Sequence, residues 1–108
     1  MNRLASLLDH LPAAAEASER FEDLLIRPGV RIERIVSSGQ STPSGEWMDQ
    51  AWDEWVLLVS GRAGLTLEGE ASATLKPGDH LLIPAHRRHR VEWTETPTVW
   101  LAAHFDGS

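Results

Sequence analysis

Apolar residues along most of this chain come in runs of four to eight positions separated by turn residues, a spacing that belongs to strands and not to helices. Eight strands are predicted, over residues 21–26, 30–36, 54–60, 62–68, 71–75, 80–84, 89–93 and 98–105. Between them stand Arg27-Pro28-Gly29, Gly61, Gly69-Glu70 and Lys76-Pro77-Gly78-Asp79, where proline fixes φ and glycine accepts the positive φ that tight turns require. This rhythm predicts an all-β sandwich or antiparallel barrel filling residues 21–108.

Alternation is clearest in His89-Arg90-Val91-Glu92-Trp93, where His89, Val91 and Trp93 share a face expected to point inward. Over 30–36 it slips, because Ile35 breaks the parity of Val30, Ile32 and Arg34. Either a bulge lies near Arg34 or Arg34 faces a wet interior, where it would anchor an anion. Strands 54–60 and 98–105 carry apolar residues at both parities: Trp55, Leu57 and Val59 against Val56 and Leu58, then Val99, Leu101, Ala103 and Phe105 against Trp100 and Ala102. Their second faces call for cover from a neighbouring sheet layer, the N-terminal segment or a second subunit, and a two-fold homodimer is predicted.

Residues 2–18 have a different character, mixing Ala, Leu, Glu and Ser around Pro12, and they predict two short helical pieces forming a peripheral segment over residues 1–20. Asp9, His10 and Pro12 interrupt the apolar positions there, so neither a signal peptide nor a membrane span is expected and a cytoplasmic location is.

A chain of 108 residues suits one domain, and its formal charge of −6 disfavours nucleic acid and anionic membranes as partners. The absence of cysteine excludes disulfides, thiolate zinc sites and a cysteine nucleophile. No Gly-x-Ser-x-Gly elbow and no phosphate-cradling Gly-x-x-x-x-Gly-Lys loop occurs.

Two segments together resemble the paired motifs of the cupin superfamily. The first runs Gly, five residues, His-x-His, three or four residues, Glu, six residues, Gly, and Glu54 with Gly61 match its second half. Its histidine pair does not match, those places falling on Trp47 and Asp49 or on Met48 and Gln50. In the second motif, Gly, five residues, Pro-x-Gly, two residues, His, three residues, Asn, the matches are Gly78, Pro84 and His89, while His86 replaces the glycine and Trp93 the asparagine. The resemblance covers residues 21–105 and is to small single-domain bacterial cupins. It implies a jelly-roll barrel whose mouth holds a divalent metal or a small polar ligand, with self-association as a dimer, and leaves activity open.

Asp49, Glu54 and His89 at motif positions are the candidate metal ligands. One nitrogen with two oxygens is a hard donor set suited to Mn²⁺, Mg²⁺ or Fe²⁺, with Zn²⁺ also open. The alternative is a buried hydrogen-bond cluster in which Glu54 or Asp49 accepts from His89. Gln50, His86 and His104 stand nearby as helpers, although His104, in phase with Trp100 and Ala102, reads more naturally as a satisfied barrel histidine. The run from His86 to Arg90 is the densest positive cluster. Arg88 or His86 could hold a carboxylate or phosphate, the alternative being a solvated loop paired with acidic neighbours. Trp47 stands beside the first motif as a stacking surface.

Two functions follow. One is a metal-assisted enzyme on a small, anionic metabolite, with Glu54 or His89 moving a proton. The other is a non-catalytic ligand-binding or sensory barrel without a metal.

Overall fold

The computed structural model of the chain describes residues 4–106. Eight strands follow in order: β1 (Arg20–Arg27), β2 (Val30–Ser37), β3 (Asp53–Ser60), β4 (Ala63–Leu67), β5 (Ala73–Leu75), β6 (His80–Ile83), β7 (His89–Thr94) and β8 (Thr98–Phe105). They form a five-stranded sheet ordered β1-β2-β8-β3-β6 and a three-stranded sheet ordered β5-β4-β7, with every pairing antiparallel. Between the sheets lies one apolar core, built from Val56, Leu58, Ala63, Leu65, Leu75, Ile83, Trp100 and Ala102. The all-β expectation therefore holds, with β4 and β5 shorter than the runs 62–68 and 71–75 predict.

Gly61, between β3 and β4, shows why the turn residues matter. Its φ is +85°, and a Cβ there would stand 2.6 Å from the Pro97 carbonyl oxygen and 2.8 Å from the Thr98 Cα. Only glycine satisfies both conditions.

The expected N-terminal helices are absent, because no helix occurs among the described residues. Residues 2 and 3 of that segment lie outside them. What forms instead is a single turn, with the Asp9 amide donating to the Ser6 carbonyl oxygen at 3.1 Å and the Ser6 amide to an Asp9 carboxylate oxygen at 3.0 Å. Pieces this short, interrupted by Pro12, are below the length at which helices hold by themselves. Arginines also take the carbonyls that a helix would use. Arg34 Nη1 donates to Leu7 O and Asp9 O at 2.9 and 2.6 Å, and Arg20 Nη1 to His10 O at 2.7 Å. No helix of the described residues is long and apolar enough to cross a membrane.

Those bonds also resolve the slip in alternation over β2. The β2–β8 register is continuous and the bulge lies in β1, between Asp23 and Leu25. A bulge thus lies near Arg34, in the neighbouring strand opposite Glu33 and Ile32, and Arg34 does not face the interior. It lies opposite Leu101 in the register, on the side away from Ile35 and Trp100, buried beneath the N-terminal segment with Glu22 at 2.6 Å. Trp93 also departs from expectation. β7 bulges against β4 between Gly64 and Leu65, so that Gly64 faces Trp93 while Leu65 faces Val91. The extra residue breaks the shared face, and Trp93 is 41% exposed.

Candidate ligand cavity between the sheets

A cavity of ≈ 320 Å³ opens between the two sheets. Ile35 of β2, Trp100 of β8, Glu54 and Val56 of β3 and Ile83 of β6 form one wall; Leu65 of β4 with His89 and Val91 of β7 form the other. Glu19, Phe21 and the segment from Gln40 to Met48 complete it.

That segment is a strap along the free edge of β7. Its Thr42 amide donates to Val91 O at 2.9 Å, and Met48 and His89 exchange amide bonds of 2.7 and 3.1 Å. Arg90, on the opposite parity to His89, ties the strap down by donating to the carbonyl oxygens of Glu46 at 3.0 Å, Thr42 at 3.1 Å and Pro43 at 3.4 Å. Its Nε donates to Glu92 at 3.0 Å. The guanidinium groups of Arg88 and Arg90 stand 5.8 and 5.9 Å from the Trp47 ring centroid, cation–π distances that hold this cavity-lining indole in place.

His89 is 2% exposed. Its Nδ1 lies 2.8 Å from Arg87 O, and because a carbonyl only accepts, the ring hydrogen is on Nδ1. In the neutral tautomer the lone pair is then at Nε2, which hydrogen-bonds to none of the described residues. Glu54, also buried, accepts from Gln50 Nε2 at 3.2 Å and lies 3.4 Å from His104 Nε2.

His104 is the joint of a second buried group. Its Nε2 is 2.9 Å from Glu33 Oε1, so two carboxyls converge on one ring nitrogen, all three residues being less than a tenth exposed. Nδ1 of His104 is enclosed without a partner, which places the hydrogen on Nε2 as donor to Glu33. Sequence reasoning missed Glu33. Its parity with Ile35 was the available signal, but an acidic residue in a strand reads as surface until β8 and β3 are placed beside it.

The remaining predicted residues lie elsewhere. Asp49 does not join Glu54 and His89; it pairs with His86 Nδ1 at 3.0 Å, both side chains largely exposed. Arg88 pairs with Glu68 and Arg87 with Glu70, each at 2.8 Å, so the part of the positive cluster before β7 is a solvated, acid-paired loop, while His89 and Arg90 belong to the strand. Of the expected site residues, Trp47, Glu54 and His89 line the cavity; Arg34, Asp49, Gln50, His86, Arg88 and His104 do not.

The donor set does not fit a divalent metal. Metal sites of this kind keep at least three protein ligands, whereas Glu54 accepts from Gln50 and lies against His104, and Asp49 is turned away to His86. Among the described residues no group of three or more His, Asp or Glu is placed to hold an ion.

Comparison with known families matches the cupin domain over residues 35–104. A Ralstonia eutropha JMP134 protein, provisionally assigned as a mannose-6-phosphate isomerase, is 48% identical over 98% of this chain and 100% of its own, with a TM-score of 0.92. A cupin superfamily protein from Desulfitobacterium hafniense DCB-2 shares the fold at 22% identity, covering 97% of this chain and 93% of its own, with a TM-score of 0.77. A Streptococcus pyogenes protein of unknown function does so at 16% identity, covering 100% and 90%, with a TM-score of 0.79. No curated protein matches. The paired sheets, the motif residues Glu54, Pro84 and His89 and the match over residues 35–104 agree: the chain belongs to the cupin family.

Proposed function

We propose that this chain is a ligand-binding cupin whose cavity takes a small organic molecule without a metal. The observation that carries this reading is the ≈ 320 Å³ space itself, walled mainly by apolar side chains with a few polar groups converging on it. Thermal-shift screening of a small-metabolite library, followed by titration of tryptophan fluorescence, tests it. Saturable binding without chemical change in the ligand is expected. Conversion of the ligand to a product, abolished by His89→Gln, would overturn it in favour of an enzyme.

That second reading has one observation behind it. The open lone pair of His89 and the Glu54 carboxyl both border the cavity, a pair able to move a proton on a bound substrate. The assignment of the Ralstonia relative points to an isomerase, yet a phosphosugar needs a cationic anchor and no Lys or Arg among the described residues lines this cavity. Incubation with mannose 6-phosphate, followed by sugar analysis, is expected to show no conversion.

A further inference from the structure

Among the described residues, the ionisable groups bordering the cavity are three carboxyls, Glu19, Glu46 and Glu54, together with His89. Glu54 is buried, and a ligand entering the cavity strips water from what solvent it still meets, which costs free energy unless positive charge replaces it. His89 makes the same demand in another form. The residue is 2% exposed and its Nε2 hydrogen-bonds to none of the described residues, so in the neutral ring a ligand that brings a hydrogen-bond donor satisfies it and one that brings only acceptors does not.

The arginines nearest the strap do not offset this. Arg88 is engaged by Glu68, and Arg90 by Glu92 and three strap carbonyls. The lining aromatic rings, Trp100 among them, present π faces that also favour a cation. Beyond the cavity, the formal charge of −6 raises the local concentration of cations and lowers that of anions.

We propose that the cavity takes a primary or secondary organic ammonium ion, a protonated amine on a compact apolar body. Its N–H groups donate to the Glu54 carboxylate and to His89 Nε2, and its body lies against Ile35, Val56 and Trp100. This rests on the ligand-binding reading and replaces the anionic ligand expected from the sequence.

Three probes of matched shape test it: 2-phenylethylamine, 2-phenylethanol and phenylacetate, titrated at neutral pH by tryptophan fluorescence and by amide chemical shifts. The amine is expected to bind about ten-fold or more tightly than the alcohol, with phenylacetate weakest. Glu46→Gln changes an exposed residue whose side chain makes no hydrogen bond, so folding is not at stake. It is expected to weaken the amine roughly three-fold or more and leave the alcohol unchanged. Equal or tighter binding of the alcohol or the acid overturns the proposal while the ligand-binding reading stands. Absence of amine binding up to about 10 mM overturns it as well, and the library screen then decides the broader reading separately.

Discussion

Replacing Arg90 by alanine removes the fastening between β7 and the strap. Its side chain is 16% exposed and makes two well-formed bonds to strap carbonyls, at 3.0 and 3.1 Å, a longer one at 3.4 Å and one to Glu92 at 3.0 Å. Hydrogen bonds to charged groups contribute about 1.5–3 kcal/mol each, and partial exposure with water replacement reduces the sum. A loss of about 2–4 kcal/mol is therefore expected, or on the order of 10 °C in Tm for a domain of this size. Urea unfolding measures the first, and hydrogen exchange at the Thr42 and Met48 amides, which bond to β7, locates it. Arg90→Lys keeps the charge without the planar fork and is expected to recover less than half. A loss below about 0.5 kcal/mol with unchanged exchange at both amides would show that the strap is held by its backbone bonds to β7 alone.

Three other outcomes are expected. His104→Leu leaves Glu33 buried without its donor and Glu54 without its neighbouring imidazole, and is expected to cost about 3–5 kcal/mol in chemical unfolding, a loss under about 1 kcal/mol refuting the cluster. Glu92 has its carboxyl held below the usual 4.5 by the Thr66 hydroxyl and then by Arg90, and Asp79 is held below 3.8 by the Lys76 amide. Depressed values stabilise the fold above the unfolded-state pKa, so Tm is expected to fall as pH drops below about 4.5, and Glu92→Gln with Asp79→Asn should flatten that limb. Strand β1 is a sheet edge exposing Phe21, Leu24 and Ile26, so sedimentation at micromolar concentration should show about twice the 12.0 kDa chain mass, and a monomer would refute dimerisation through this edge.

The strands were legible because their signals are local: turn residues such as Lys76-Pro77-Gly78-Asp79 and apolar runs fix where each begins and ends. His89 and Glu54 were legible because the motif counts positions within one strand and its approach. Asp49 misled for the opposite reason. It lies before β3, where spacing along the chain sets no direction, and its carboxylate went to His86. The Glu33–His104 pair spans 71 positions and arises only when β2 and β8 pair, so no local pattern contains it. The N-terminal residues carry helix propensity, but propensity there amounts to tenths of a kcal/mol per residue, less than a buried guanidinium gains from two carbonyls.

That guanidinium makes the stretch around Leu7 and Asp9 integral to the barrel. Arg34 is 5% exposed, and Leu7 O and Asp9 O are two of its three partners, the third being Glu22. Trimming the chain back to β1 would therefore strip the cover from a charge that cannot leave the sheet, and a stretch that looks dispensable from its composition is the one whose removal water would have to repair.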